Sequence, residues 1–358
     1  MNPSKIAVLI PAHNEALTIE KTLTSLLPQL TPEDRVIVVA DNCTDDTAAI
    51  ARKFEITVLE RTDSAKLGKG YALDYGIQFL KSDAPSVVVL IDADCLVHAN
   101  TVQQLAELAL DSGRPVQATY LQDRPRDPSP KDTISALAIL VKNFVRLQGL
   151  ANLNLPCLLY GTGMAFPWSV ISSVSLANSN IVEDMQLAID LAIAGYPPLY
   201  CPAAKVTGIL PQEQQASKTQ RTRWEHGHLQ TLITQVPRLI KAAIAQKRWE
   251  LLILALDLGV PPLSLLVMAW GATMVMAILL GTVSGLWLTA VVLAVIGLLI
   301  FTSIVGSWIG FGKDIPGSVL LTIPLYILWK IPLYIAFLLK PQTEWIKTKR
   351  DELSQIRS

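Results

Sequence analysis

Four cysteines, Cys43, Cys95, Cys157 and Cys201, are scattered through 358 residues, with no pair at zinc-ligand or redox spacing. That excludes a disulfide framework and fits a reducing compartment. Net charge is also missing. Thirty basic and thirty acidic side chains balance, so nothing in the composition calls for nucleic acid as a partner. The opening stretch MNPSKIAVLIPAHNE has neither the basic region nor the long apolar core of a signal peptide, and its apolar run, Ile6–Ile10, has the length of a strand. PAHNEA, which follows that strand, lacks the glycines of a phosphate-binding loop and so speaks against a nucleotidyltransferase. From Leu258 to Gly312 there is no charged side chain, a far longer gap than a soluble core helix needs. These absences divide the chain into a soluble N-terminal domain and a membrane-embedded C-terminal part.

What is present in the first half alternates between strand and helix. Strands are expected at Ile6–Ile10, Arg35–Ala40 and Ile56–Leu59. Helices are expected from Thr18, over Thr47–Lys53 and over Tyr71–Lys81. Short connections between them imply a right-handed parallel α/β sheet. In Ser86–Val97, SVVVLIDADCLV, the apolar run reads as a further buried strand that ends at Asp92-Ala93-Asp94, so Asp92 and Asp94 follow its carboxyl end, where open α/β sheets bind ligands. Two readings fit this carboxylate pair. It opposes a hard cation such as Mg²⁺ or Mn²⁺, or it caps the following helix. Further on, Ile134–Leu150 is an apolar helix with Lys142, Asn143 and Arg146 on one side, suited either to a core or to a membrane surface. Gly161-Thr162-Gly163 is a turn where backbone can approach a ligand. Val182–Ala194 is a helix with Glu183 and Asp184 in its first turn, where the helix dipole alone would favour them.

Two spans of about 20 residues fit the uncharged block, Pro261–Leu280 and Leu286–Gly306. Arg238, Lys241, Lys247 and Arg248 precede the block and Lys313 follows it, while the turn between the spans is uncharged. Both ends of this hairpin are therefore expected on the cytosolic side. Ile315–Leu339 holds Lys330 and three prolines and precedes a basic tail. An interfacial or re-entrant segment keeps that tail cytosolic, and a third span does not.

Asp41, Asp92/Asp94, Glu183/Asp184 and Gln220–Trp224 are the polar clusters that stand out. With VLIPAHNE, DNCTDDT, KLGKGYAL, DAD, VED and QRTRW in this order across Ile6–Trp224, the chain resembles the family-2 glycosyltransferases. The likeness is to the membrane-integrated branch of cellulose, chitin and hyaluronan synthases and ceramide glucosyltransferase. The resemblance implies a GT-A-type, Rossmann-like nucleotide-sugar-binding domain followed by C-terminal transmembrane helices. It also implies roles. Asp41, with Pro11 and Glu15, would hold the nucleotide base and ribose, and Asp92 would assist. Asp94 would ligate Mg²⁺ or Mn²⁺ on the diphosphate, with Lys69 nearby. Asp184 would be the general base, and Gln220, Arg223 and Trp224 would form the Q-x-x-R-W motif beside acceptor and leaving group.

The implied partners are a nucleotide-sugar, most simply a UDP-hexose, and a lipid or glycan acceptor at the membrane. The implied reaction is displacement with inversion on the cytosolic face. Val182 stands where the cellulose-synthase-like pattern has Thr. No apolar span is seen before the catalytic domain, which leaves single addition to a lipid open beside processive synthesis. A nonenzymatic membrane scaffold on the same fold would be expected to lose the acidic clusters. The expected organisation is a catalytic domain over 1–232, an interfacial helical connection over 233–260 and two transmembrane helices over 261–308. An interfacial, re-entrant or transmembrane segment over 313–340 and a basic cytosolic tail over 341–358 complete it. Outside these clusters, His13 is expected as a loop residue near the nucleotide, His226 and His228 as surface or acceptor-facing residues, Asp45, Asp46 and Thr47 as helix-start residues, and Asp257 at the headgroup level.

Overall fold

A computed structural model describes residues 5–124, 128–177, 182–209, 214–312 and 314–339, with the backbone alone for residues 209 and 214–221. The side chain of Gln220, Lys313 and the tail over 341–358 lie outside the described residues.

The first half builds β1 (Ile6–Ala12), α1 (Ile19–Leu26), β2 (Arg35–Asp41), α2 (Thr47–Arg52), β3 (Thr57–Arg61), α3 (Lys69–Leu80) and β4 (Val87–Leu90). Then come β5 (Cys95–Val97), α4 (Thr101–Ser112), β6 (Val116–Asp123) and a long helix α5 (Pro130–Asn152) with one π turn at Val141–Val145. β7 (Met164–Pro167), α6 (Glu183–Ile193) and β8 (Leu199–Ile209) complete the sheet. Its order is β3-β2-β1-β4-β7-β6-β8-β5. β1–β4 are mutually parallel, and β7 runs antiparallel to both β4 and β6. The carboxyl ends of β1, β2, β4 and β6 therefore share one edge, and the turn before β7 sits on that edge too.

Alternation along the strands explains the layering. Leu9, Ile37, Val39, Val88 and Leu90 face α3, α6 and the helices that follow β8. Val8, Ile10, Val36, Val38, Val87 and Val89 face α1 and α4. Both faces are covered, so these strands read as unbroken apolar runs. Burying each such side chain contributes roughly 1.5–3 kcal/mol.

The apolar run before Asp92 forms β4, and a second, unexpected strand follows the aspartates. β4 ends at Leu90, the chain turns through Ile91–Asp94, and β5 pairs with β8 at the sheet's far edge. Because α4 begins only at Thr101, with Asn100 at its cap position, Asp92 and Asp94 do not cap it. That alternative falls.

The C-terminal part consists of α7 (Gln214–Gln246), α8 (Trp249–Gly259), α9 (Leu263–Ser284), α10 (Leu288–Phe311) and α11 (Ile323–Leu339). α7 runs unbroken through residues 232 and 233. α9 and α10 are long and apolar enough to cross a membrane, and most of their side chains are exposed. Trp270 Nε1 of α9 donates to the carbonyl of Leu293 in α10 at 2.7 Å, and its ring packs where Gly297 has no Cβ. α5 is also long and apolar enough to span, but it packs on the α/β domain. Asn143 Nδ2 donates to Tyr120 O of β6 at 3.1 Å, and Leu147 is fully buried.

Of the two readings of α5, its contacts favour the core. The Arg146 side of α5 turns to protein: its Nε lies 3.1 Å from Asp257 Oδ1, and its Nη2 donates to Tyr160 OH at 2.9 Å. Asp257 is consequently buried in α8 as the partner of Arg146. His226 and His228 are buried as well, each ring Nε2–H donating to a backbone carbonyl, Leu333 O and Leu258 O respectively.

Candidate active site

The turn Ile91–Asp94 is pinned by its backbone. Asp92 N donates to Thr162 Oγ1 at 3.0 Å, and Thr22 Oγ1 donates to Ala93 O at 2.8 Å. Ala93 is thereby buried, while the two aspartates on either side of it stay partly open. Asp94 Oδ1 accepts a weak bond from Cys95 Sγ at 3.6 Å.

Lys69 opens α3. Gly68 before it has φ +127°, which favours glycine and lets the chain turn sharply into the helix. From there Lys69 Nζ reaches across the edge of the sheet. It ion-pairs with Asp92, donates to Gly161 O at 2.7 Å and lies 3.9 Å from Glu183 Oε1. Burial works against the ammonium, but Asp92 and Glu183 outweigh it and hold the Lys69 pKa above the ordinary lysine value.

Glu183 and Asp184 start α6. Asp184 Oδ1 accepts from the backbone N–H of Met185 at 2.8 Å. Gly161, at φ +87°, leaves room for Asp184: a Cβ there would stand 3.3 Å from Oδ2 and 3.6 Å from Lys69 Nζ. Burial pushes the Glu183 carboxyl up to about 7, against the pull of Lys69 and aided by the neighbouring Asp184. Burial raises Asp184 too, with Lys69 again opposing. Both carboxyls are thus harder to ionise than their ordinary counterparts.

Asp41 lies at the end of β2, with β1 between it and β4. It is buried and ion-paired with Arg61, and Asn42 Nδ2 donates to its Oδ1 at 3.0 Å. His13 Nδ1–H donates to its carbonyl at 2.7 Å. Pro11 sits in β1 opposite Val39. Glu15 works locally: its N–H donates to Thr47 Oγ1 at 2.8 Å, and its Oε2 accepts from Thr18 Oγ1 at 2.9 Å. Asp45 Oδ1 accepts from Thr47 N at 3.1 Å, a helix-start contact.

Arg223 and Trp224 stand half-buried on α7. α7 is joined to α6 by the ion pair of Arg238 Nη1 with Asp190 Oδ1 at 2.6 Å, and Leu239 shares a core with Leu187 and Leu191. Lys69, Asp92, Glu183 and Asp184 thus converge around Gly161, Asp94 shares their turn, and Asp41 stands further along the same edge. Glu183, Thr162 and Gly161 carry no assigned role in the expected site, and Arg61 is absent from it. Only the G-x-G turn and the charge beside Asp184 offered a signal for them.

Among the described residues, no three His, Cys, Asp or Glu side chains converge as a metal cage. The donor chemistry still fits a hard divalent ion. Mg²⁺-type sites take one or two carboxylates plus substrate phosphates, and Asp94 and Asp92 offer hard oxygens on one turn.

Residues 3–227 match the family described as Glycosyltransferase like family 2. The chain is 27% identical over 258 residues to a probable glycosyltransferase, YdaM, of Bacillus subtilis (strain 168), covering 66% of this chain and 58% of that protein. It is 24% identical over 268 residues to the poly-beta-1,6-N-acetyl-D-glucosamine synthase of Staphylococcus aureus (strain COL), covering 70% and 60%. The chain therefore spans less than two thirds of the length of these relatives. A mannosyltransferase from Pyrobaculum calidifontis, solved in complex with GDP-Man and Mn²⁺, shares the fold with a TM-score of 0.55. That match has 18% identity and covers 95% of this chain and 88% of the other.

Proposed function

The chain belongs to the glycosyltransferase-like family 2, and from that premise we propose that it is an inverting, divalent-metal-dependent glycosyltransferase. It moves a hexose from a nucleotide-sugar, a UDP-sugar in the simplest case, to a lipid or glycan acceptor held at the membrane. The observation that carries this reading is the convergence of Lys69, Asp92, Glu183 and Asp184 around Gly161. A nonenzymatic scaffold would have no use for three carboxylates and a lysine gathered in one partly buried cleft.

In this reading Asp184 takes the proton from the acceptor hydroxyl, which is worth about 10²–10⁴ in rate. Its raised pKa brings its basicity nearer to neutral pH. Lys69 lends positive charge to the departing nucleoside diphosphate, and Arg223 adds to it from α7. Asp94, with Asp92 beside it, would hold Mg²⁺ or Mn²⁺, which when bound would neutralise charge on the diphosphate. Asp41 with its Arg61 partner, and the backbone around Pro11, bind the nucleoside. Trp224 offers an aromatic face to the acceptor, and Gln220 belongs to the same motif. One attack by one activated hydroxyl inverts the anomeric centre.

The domain plan follows: a catalytic unit at the cytosolic face, α9 and α10 as a transmembrane hairpin, and α11 at the interface. The basic residues Arg238, Lys241, Lys247 and Arg248 before the hairpin support that orientation.

The test is nucleotide release. Full-length protein in detergent, given Mn²⁺, membrane lipids and a panel of UDP- and GDP-sugars, should release one nucleoside diphosphate, and product mass separates one added sugar from many. No release from any donor would refute the enzyme reading.

A further inference from the structure

α11 is apolar in composition, yet it turns a polar stripe toward the protein. Tyr326, Lys330 and Tyr334 recur every fourth residue, so they share one helix face, and they are its buried residues. Each meets a different helix. Tyr326 OH shares a hydrogen bond with Ser135 Oγ of α5 at 3.1 Å, and Tyr334 OH shares one with Ser264 Oγ of α9 at 2.7 Å. Lys330, between them, ion-pairs with Glu225 of α7. On the same side, the His226 ring stands edge-on to Phe337 at 5.3 Å and donates to Leu333 O at 3.0 Å. The opposite face is apolar and open, with Leu325, Leu328, Leu338 and Leu339 each at least 60% exposed.

An ammonium that is 2% exposed cannot stay charged without a close anion. Glu225 supplies one, and Glu225 directly follows Trp224 in the chain. The contact therefore fixes both the rotation and the axial position of α7 at the residues that carry Arg223 and Trp224. We infer that Lys330 and Glu225 form a positioning pair, through which α11 holds Trp224 and Arg223 at the acceptor side of the site. The inference rests on the proposed function for the role given to those two residues.

The experiment uses the full chain in detergent as wild type, Lys330→Met, Glu225→Gln, Lys330→Arg and the swapped Glu225→Lys/Lys330→Glu. Hydrogen exchange over Thr222–Leu229 reads the placement of α7. Binding of UDP with Mn²⁺ reads the donor side, and UDP release from the sugar nucleotide that the wild type turns over, with membrane lipid extract, reads catalysis. Lys330→Met and Glu225→Gln should each speed exchange over Thr222–Leu229 and lower turnover by about tenfold or more, as expected for a misplaced reacting partner. Their Kd for UDP should stay within about twofold, because the donor half is untouched. Lys330→Arg and the swap should recover most of both losses.

Unchanged exchange and turnover in the single variants would overturn the inference. So would a swap that recovers neither while still binding UDP. If the single variants also lose UDP binding, the pair is a general brace of the fold and the positioning role falls. A wild type that turns over no nucleotide-sugar would instead refute the proposed function, while exchange over α7 would still decide the coupling of Lys330 to that helix.

Discussion

Lys69 Nζ and the carbonyl oxygen of Gly161 lie 2.7 Å apart, joining the start of α3 to the turn before β7. The same ammonium holds Asp92 and faces Glu183, so one cation organises three segments that are distant in sequence.

Replacing that cation should therefore cost both fold and chemistry. Lys69→Met leaves Asp92 and Glu183 facing each other without compensation in a site that is only partly open. The expected loss of stability is about 1–3 kcal/mol, below that of a fully buried pair because solvent screens part of the charge. Nucleoside diphosphate release should fall by about 10²-fold or more with the leaving-group charge unsupported. A thermal melt and a turnover assay check the two effects separately.

The pH dependence follows from the raised carboxylates. Glu183 moves from an ordinary 4.5 to about 7 on folding, so between those values the folded state binds more protons than the unfolded state. Its contribution to stability is complete below 4.5 and is lost as pH rises through about 7. Activity should run the other way, rising as Asp184 ionises. Lys69→Met removes the cation that opposes the rise of Asp184, so the acid limb of the kcat/KM profile should move to higher pH. A limb that stays in place would show that Lys69 does not act on the base.

Asp94 offers a separable test of the metal. Asp94→Ala should keep the turn, whose pins are the backbone bonds to Thr162 and Thr22. Stimulation of turnover by Mn²⁺ should disappear and activity should fall by about 10²-fold or more. Calorimetry with UDP, with and without Mn²⁺, should show that the metal no longer tightens binding. If the variant retains full metal-stimulated turnover, Asp94 is not the ligand.

Much of the sheet was legible because β1, β2 and β4 are buried on both faces and so are written as short, continuous apolar runs. β5 was not, since Cys95-Leu96-Val97 is too short to show a period and belongs to another part of the sheet. β8 was also unread. Pro202 and Lys205 interrupt its pattern, and its pairing with β6 is irregular between Ala118 and Thr119. Lys330 looked misplaced in an apolar segment because nothing local to it names Glu225 as its partner. The Arg61–Asp41 pair was hidden for the same reason: long-range charge pairing leaves no periodicity to read.

α7 is a rod of 33 residues, about 50 Å long. Pro237 interrupts its backbone hydrogen bonding, and the stretch from there to Trp224 makes a lever arm of about 20 Å. A tilt of about 5° at that fulcrum would carry Trp224 by nearly 2 Å, a displacement of the size that separates productive from unproductive alignment. Bilayer thickness and lateral pressure, acting where α11 meets α7 through Lys330 and Glu225, would then enter the chemistry as a mechanical input.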